Sequence, residues 1–498
     1  MESKGPFVQS AAFDYFQRRR FLWLLVLFVT AAYASLSILR HWHFNSSAYD
    51  LGIFDQAIWQ LSRFNPPLVS VRSNLLTENL FGDHFHPILI VLAPLYWFTD
   101  RVEALLAIQA LLFALAIVPI FLFTEKRLGR SGAYLSALVY AVFWGVHKAI
   151  EFDFHEIAFA VPIIAFAIYA IDERRWKSYF FCVFLMLITK ENLPILVFFF
   201  GIYLLTLRQV KYALISMTVG AIGFLTVIKL FLPYFSDPET SRERPGMYYR
   251  YWSYNHLGAS PAGLLATLVK NPLLVIQTLF SPRTKLDTYW YLFHPFLFLP
   301  ILSPLFILAI PLLAERFLSE GASLWSIDYH YNALIAPVLV MASVDSIHRI
   351  SQRFKTVNKV YLVIPVVLVI LVLNLRLVQL SPIRNLSDRS YWQLSDSDRT
   401  GRRALSLIPA NASVITQGPI TPHLTHRKIV YMINPFAEIP DADFIIASER
   451  LNPFPYPNYA EISRYLDFQQ ARGYRKVFDE NGWVVLKSEL HPAQTRLR

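Results

Sequence analysis

Long apolar runs alternate with short basic clusters along the first three quarters of the chain. A helix of about 20 apolar residues is long enough to cross a bilayer. We therefore predict an all-α polytopic membrane domain over residues 21–380, after a cytoplasmic N-terminus at 1–20. The eleven predicted transmembrane helices lie at about 21–39, 102–123, 132–147, 157–171, 178–189, 193–207, 212–235, 286–300, 303–318, 330–348 and 360–379.

The basic clusters set the expected topology, because cytoplasmic loops near helix ends are enriched in lysine and arginine. They lie at Arg18–Arg20, Lys126–Arg130, Arg174–Lys177, Arg208–Lys211 and Arg349–Lys359. This spacing predicts a multi-pass protein of the plasma membrane with its N-terminus in the cytoplasm and large extracytoplasmic loops at 40–101 and 236–285. Within the first loop, we expect residues 87–98 to form a helix on the membrane surface.

After Ser381 charged residues return and the apolar runs shrink to four or five residues. Short β-rich runs and one helical pattern predict a small extracytoplasmic α/β domain over residues 381–498. The predicted strands lie at 413–416, 428–432, 443–447 and 483–487, and the predicted helix lies at 459–472. No nucleotide-binding glycine motif occurs in this part, so we expect a lid or a docking module.

Composition narrows the class of protein. The chain of 498 residues is 55% hydrophobic and only 16% charged, with a mean hydropathy of +0.39. Soluble globular proteins carry about 25% charged residues, so this chain is not one of them. The net charge of +11 comes from the clusters between apolar runs, which indicates topology control and no nucleic-acid partner.

The strongest candidate for chemistry is the polar stretch 49–87, which lies between two apolar runs. Its acids and histidines are Asp50, Asp55, Glu78, Asp83, His84 and His86. Asp50 and Asp55 are flanked by apolar residues, a pattern that predicts a helix on the bilayer surface. A partly buried carboxylate there can act as a general base, and we assign this role to Asp50. The alternative is an ordinary solvated or helix-capping acid.

Two acid and histidine clusters are candidate ligands for a divalent metal ion, which would be the only cofactor. Asp83, His84 and His86 form the first, and Asp153, His155 and Glu156 form the second. The spacing within each cluster is not specific to metal sites. The alternative, hydrogen-bonded loop residues that position the neighbouring helices, is therefore favoured over a metal.

Further candidates for substrate binding lie in the other predicted outer turns. Lys190 and Glu191 follow the fifth span; the lysine can bind a phosphate, and its alternative is a structural ion pair. Arg250 lies in an arginine- and tyrosine-rich loop, where an aromatic membrane belt has the same composition. His330 marks the outer end of the tenth span.

Five motifs in order carry a family resemblance: YDLGIFDQAIW, GDHFHPILIVLAPLYWF, FDFHE, TKEN and DYHYNALIAP. Over about residues 20–350, and over the C-terminal domain, the chain resembles a family of polytopic membrane proteins catalogued as a domain of unknown function. That family is in turn similar to the GT-C glycosyltransferases of the protein-mannosyltransferase and aminoarabinose-transferase type.

The GT-C resemblance implies a role for several positions. Asp50 stands at the acid of the first outer loop, Glu151 and Asp153 stand in the second outer turn, and Lys190 with Glu191 matches a later pair. The family's Asp-Glu doublet is Asp50-Leu51 here, and the histidines of the first cluster have no fixed counterpart. The implied donor is a sugar on a polyprenyl phosphate.

These observations lead to one leading hypothesis and two alternatives. In the first, Asp50 deprotonates an unknown acceptor hydroxyl at the outer membrane face, the acceptor takes the sugar, and Lys190 stabilises the departing phosphate. The other substrate-binding candidates are Asp55, Asp83, His84, Glu151, Asp153, His155, Glu191, Arg250 and His330. The alternatives are a transporter or flippase for a lipid-linked or small polar solute, and a non-catalytic assembly or sensor protein.

Overall fold

The computed structural model describes residues 19–71, 79–236, 252–353 and 359–489. Helices make up the described chain as far as residue 406, and a small sheet follows. The helices of eight or more residues before the sheet are α1 Arg20–Trp42, α2 Ile53–Ser62, α3 Glu103–Leu115, α4 Ile117–Ala141, α5 Trp144–Glu151, α6 Ile157–Asp172, α7 Trp176–Leu187, α8 Leu193–Thr206, α9 Val210–Thr226, α10 Pro261–Lys270, α11 Pro272–Phe280, α12 Thr284–Phe293, α13 Ala309–Phe317, α14 Ala336–Ser351, α15 Lys359–Val378 and α16 Asp396–Ser406.

Helical turns and 3-10 helices connect them. The α-helical turns are Leu80–Asp83, Leu232–Phe235 and Ala322–Trp325, and the π-helical turns are Ala48–Gly52 and Val227–Phe231. The 3-10 helices are Pro87–Trp97, His294–Phe296, Leu299–Leu302, Pro304–Leu308, His330–Asn332, Pro382–Ser387, Arg389–Trp392 and Thr421–His423.

Four helical stretches of the described chain are long and apolar enough to cross a membrane. They are Arg20–Trp42, Glu103–Ala141, Val210–Phe235 and His330–Ser351. Helices α10 and α11 meet this test only as a pair, and they are bent by 105° at their junction. Further apolar helices are shorter, so the number of eleven spans stays a prediction.

Gly129 marks a break in one long helical stretch. The stretch from Glu103 to Ala141 is almost continuously helical, yet Gly129 has non-helical angles (φ 75°, ψ 178°). Glycine adopts this left-handed region without a steric penalty. The break lies between two predicted spans, at 102–123 and 132–147.

The predicted helical hairpin over 286–300 and 303–318 contains more 3-10 helix than expected. Helix α12 ends at Phe293, and α13 begins only at Ala309. Three prolines in this stretch remove backbone donors and shorten the helical turns between them. Leu297 and Phe298 also have left-handed backbone angles.

The C-terminal part contains one five-stranded sheet. Its strands are β1 Val414–Thr416, β2 Val430–Met432, β3 Phe444–Ser448, β4 Tyr474–Glu480 and β5 Trp483–Ser488, and its helix is α17 Tyr459–Ala471. The strand order is β2-β1-β3-β5-β4, parallel between β1 and its two neighbours and antiparallel on both sides of β5. The small sheet is confirmed, whereas β4 was missed because its residues are mostly polar and exposed.

The two faces of this sheet pack against different partners, because successive side chains in a strand point to opposite faces. Ile415 and Ile445 join a core with Ile462 of α17. On the other face, Trp483 lies 4.8 Å from Phe44, between ring centroids, just after α1. The sheet is therefore docked on the helical part of the protein.

Candidate functional site

A π-helical turn followed by α2 positions the two acids of the stretch 49–87. The turn Ala48–Gly52 begins after Ser47, whose hydroxyl accepts a hydrogen bond from the Tyr49 backbone N–H at 3.2 Å. π-Helical turns are frequent at functional sites. Residues three and four apart share a helix face, so Asp50 and Asp55 lie on different faces and reach different surroundings.

Asp50 contacts a histidine from the loop between α5 and α6. His155 Nε2 lies 3.2 Å from Asp50 Oδ1. The loop is held in place by Gln109, which accepts a hydrogen bond from the His155 backbone N–H at 2.8 Å and donates one to the Asp153 carbonyl at 2.7 Å. The Asp50 side chain is 22% exposed, so its carboxylate remains accessible.

Asp153 fixes the same loop to the chain just before Asp50. Its carboxylate pairs with Arg40 of α1 and accepts a hydrogen bond from the Ser47 backbone N–H at 2.7 Å. Its backbone is left-handed (φ 76°), which is uncommon outside glycine and strained. Asp153 therefore positions the loop and does not line the cavity described below.

Lys190 is paired with Glu156, the residue next to His155. Lys190 Nζ lies 2.7 Å from Glu156 Oε1, and only 1% of the Glu156 side chain is exposed. Burial raises the pKa of Glu156, but the nearby Lys190 ammonium has the larger effect and holds this pKa well below its ordinary value. Burial lowers the pKa of Lys190, but Glu156 raises it more. The lowered pKa of Glu156 and the raised pKa of Lys190 both mean that the two groups are charged and form an ion pair.

Glu191 binds His84 of the first histidine cluster and the backbone of the next residue. Glu191 Oε1 lies 2.8 Å from His84 Nδ1, and its other oxygen accepts a hydrogen bond from the Phe85 backbone N–H at 3.1 Å. Burial lowers the pKa of His84, but Glu191 raises it above its ordinary value. Burial lowers the pKa of His86 to about 4, so this neighbouring ring is neutral at pH 7.

These groups surround one cavity of about 740 Å³, called here the Asp50 cavity. It is lined by aromatic rings and by polar groups from several separate parts of the chain. The lining residues are Tyr49, Asp50, Ile53, Phe54, Leu80, Asp83, His84, His86, Phe152, His155, Glu156, Lys190, Trp252, Ser253, Tyr254, Glu315, Gly321, Ser323, Leu324, Tyr329, His330 and Tyr331.

Most of the site residues predicted from sequence meet at the Asp50 cavity, and the rest lie elsewhere. Asp50, Asp83, His84, His155, Lys190 and His330 line it. Glu191 lies behind its wall, and Glu151 pairs with Lys148 at 3.4 Å. Arg250 lies outside the described residues.

The candidate metal ligands do not form one set. Among the described residues, no group of three or more histidine, cysteine or acidic side chains is arranged to hold a metal ion. Asp153 is committed to Arg40, His84 to Glu191 and His155 to Asp50. These donors do not fit a bound metal, so no chemical step is assigned to one.

The sequence analysis named Glu156 only as a candidate metal ligand and did not name Glu315. The structure gives Glu156 a different role, as the ion-pair partner of Lys190. Glu315 accepts hydrogen bonds from Asn192 Nδ2 at 2.6 and 2.8 Å. The signal for Glu315 was a charged pair, Glu315-Arg316, inside an otherwise apolar run.

Asp55 faces a second cavity, of about 330 Å³, between the helical part and the C-terminal part. We call it the Asp55 crevice. The Asp55 carboxylate accepts hydrogen bonds from Tyr96 and Thr425 and lies 3.2 Å from His426 Nε2. Asp55 is fully buried. Beside it, the rings of His41 and His423 stack at 3.9 Å between centroids.

A family model described as "Predicted membrane protein (DUF2079)" matches residues 40–485. The chain belongs to this family. The DUF2079 match includes the Asp50 cavity, the Asp55 crevice and nearly all of the C-terminal sheet. One family model therefore covers both the helical part and the C-terminal part. A search of curated proteins finds no match.

Several solved structures are similar to this DUF2079 protein over most of its length. ArnT from Cupriavidus metallidurans in the apo state is 12% identical with a TM-score of 0.50, over 96% of this chain and 98% of that chain. ArnT bound to undecaprenyl phosphate is 13% identical with a TM-score of 0.49, over 93% and 97%. The Archaeoglobus fulgidus oligosaccharyltransferase tethered to an acceptor peptide is 12% identical with a TM-score of 0.47, over 95% and 74%. The likeness to apo ArnT shows a GT-C-like fold.

Proposed function

We propose that this membrane protein is a glycosyltransferase that moves a sugar from a polyprenyl-phosphate donor to an acceptor hydroxyl. The observation that carries the proposal is the convergence of Asp50, His155, Lys190 and His330 on one cavity. The donor class follows from the sequence resemblance to GT-C enzymes. We further propose that the cavity opens at the extracytoplasmic face, where the C-terminal part also lies, and that the membrane part has eleven spans.

The proposed reaction has one displacement step. Asp50 takes the proton of the acceptor hydroxyl, and the acceptor oxygen attacks the anomeric carbon of the sugar. The bond between that carbon and the phosphate oxygen breaks, and polyprenyl phosphate leaves with the electron pair. A positioned base of this kind contributes about 10²–10⁴-fold to a rate.

His155 and Asp153 support the base without touching the substrate. His155 lies 3.2 Å from the Asp50 carboxylate and restricts its orientation. Asp153 holds the His155 loop against Ser47, three residues before Asp50. Both are therefore positioning residues in the proposed mechanism.

Lys190 is the proposed contact for the leaving phosphate, and it acts as a hydrogen-bond donor within an ion pair. Its charge is balanced by Glu156, so it does not act as an isolated cation. An ammonium group carries three N–H donors, and the ion pair with Glu156 leaves capacity for a phosphate oxygen. A charge-assisted hydrogen bond stabilises the phosphate as negative charge develops on it.

The test is complementation of cells that lack the protein, followed by mass spectrometry of lipid-linked sugars and surface glycans. Asp50→Asn removes the base at nearly constant size, and we expect the unused donor to accumulate while one glycan is lost. Asp100→Asn is the matched control, since Asp100 is 74% exposed and pairs only weakly with Arg63 at 3.4 Å. Unchanged profiles for a folded Asp50→Asn protein would overturn the proposal.

A further inference from the structure

Two buried histidines in the wall of the Asp50 cavity have no hydrogen-bond partner. Both ring nitrogens of His86 and both ring nitrogens of His330 are buried without one among the residues that the structure describes. His86 is 1% exposed and His330 is 3% exposed. A buried polar group without a partner costs about 1–3 kcal/mol, so these rings lower the stability of the ligand-free protein.

The two rings are held in place by aromatic contacts. His330 stacks on His155 at 3.9 Å and lies 4.0 Å from the Tyr331 ring. His86 lies 5.6 Å from the Phe54 ring, which also contacts His155 at 5.5 Å. The imidazoles are therefore fixed by packing around His155, the partner of Asp50.

The chemistry of a neutral imidazole restricts the ligand. One ring nitrogen donates a hydrogen bond and the other accepts one. An ionised phosphate offers only acceptors, so it can satisfy the donor of each ring but not the acceptor. A hydroxyl group both donates and accepts, so a ring of adjacent hydroxyls can satisfy both nitrogens.

The remaining wall fits the same ligand class. Aromatic rings of Phe152, Trp252, Tyr329 and Tyr331 line the cavity beside the imidazoles. Such rings offer flat apolar faces to the C–H groups of a sugar. His330 also connects this wall to the base, through His155, over contacts of 3.9 Å and 3.2 Å.

We infer that His86 and His330 bind the hydroxyl groups of the donor's sugar ring and hold its anomeric carbon beside Asp50. This inference rests on the proposed function, because it assumes that a glycosylated polyprenyl phosphate enters the Asp50 cavity. It assigns the recognition of the sugar to the two imidazoles and leaves the phosphate to Lys190.

The test compares two probes, undecaprenyl phosphate and its glucosyl ester, binding to the full protein in nanodiscs. The variants are His86→Phe and His330→Phe, which keep an aromatic ring and remove the nitrogens. We expect each variant to lose at least about ten-fold of its affinity for the glucosyl ester and to bind undecaprenyl phosphate within about two-fold of the wild type. His294→Phe is the control, because His294 stacks on Trp290 at 4.4 Å and does not line the cavity.

Thermal melting of the ligand-free variants separates recognition from a structural role. Removing unpartnered buried nitrogens should leave the melting temperature unchanged or raise it. A lowered melting temperature in both variants would mean that the rings stabilise the fold, which contradicts the inference.

The outcomes for the inference and for the proposed function are distinct. If the wild type binds neither probe, the proposed function fails. If it binds the glucosyl ester and both phenylalanine variants bind it equally well, the inference fails while the proposed function stands. If the phenylalanine variants lose the same affinity for both probes, the imidazoles bind the phosphate, and this result also overturns the inference.

Discussion

Asp50 and Asp55 lie five residues apart on one helical segment, yet they face two different polar regions. Asp50 is partly exposed in a 740 Å³ cavity, and the His155 imidazole lies 3.2 Å from its carboxylate. Asp55 is fully buried, and three side chains bind its carboxylate. The comparison teaches that the environment, and not the residue type, separates a carboxylate available for chemistry from one that holds two parts of the protein together.

The origin of the partners sharpens this contrast. Thr425 and His426 belong to the C-terminal part, about 370 residues after Asp55 in the chain. Thr425 and His426 link the C-terminal part to Asp55, and Tyr96 binds the same carboxylate from the helical part. The residues that line the Asp50 cavity, by contrast, all lie between Tyr49 and Tyr331, before the C-terminal part begins.

The largest expected effect on stability comes from Asp55. Asp55→Ala leaves the polar groups of Tyr96, Thr425 and His426 buried without their common acceptor, and breaking such a buried network costs about 3–5 kcal/mol. Asp50→Ala, at a partly exposed pair, should cost less than about 1 kcal/mol. Thermal melting of both variants in detergent measures the difference. Equal losses would remove the distinction between the two regions.

The next largest effect is expected at the wall of the Asp50 cavity. Glu156→Gln leaves the buried Lys190 ammonium without its carboxylate, which should lower stability by about 1–3 kcal/mol. Glu151→Gln is the matched control, because its pair with Lys148 is partly exposed and stretched to 3.4 Å, and it should change stability by less than about 0.5 kcal/mol. Chemical denaturation compares the two. A Glu156→Gln protein as stable as the control would contradict the ionic pair.

These two predictions show what the sequence could and could not supply. Short motifs at helix ends predicted that Asp50, Asp83 or His84, Asp153 and Lys190 would face one outer cavity. Asp50, Asp83, His84 and Lys190 line the Asp50 cavity, whereas Asp153 does not, because its carboxylate is bound to Arg40 and to the Ser47 backbone. The sequence could not pair Lys190 with Glu156, because several carboxylates were possible partners for Lys190 and several cations were possible partners for Glu156. It also could not identify the partners of Asp55, because helical periodicity carries no information about a contact with residues 425 and 426.

The fold was predictable for similar reasons. Apolar runs placed most helices, and β-rich runs placed four of the five strands. β4 was missed because an exposed edge strand has no apolar alternation to mark it. The 3-10 helices between residues 294 and 308 were missed because apolar composition predicts burial in lipid or protein and does not specify the helix type.

The smallest effect is a pH dependence at the Asp55 crevice. Burial lowers the pKa of His426, but Asp55 raises it above the ordinary value of about 6.5. The pair therefore contributes its full stability below about pH 6.5, and this stability is lost as the pH rises through the raised pKa. Between pH 6 and 9 the melting temperature of the wild type should fall more steeply than that of His426→Gln. Since His84 also has a raised pKa, only the difference between the two slopes reports on His426, and parallel slopes would contradict the assignment.

The most direct measurement is a cryo-EM structure of the protein in nanodiscs with a glycosylated undecaprenyl phosphate. The account predicts density for the phosphate near Lys190 and for the sugar between Asp50, His86 and His330, with the Asp55 crevice unchanged. Ligand density in the Asp55 crevice, or an Asp50 cavity without ligand under saturating conditions, would contradict the claim that Asp50 marks the functional site.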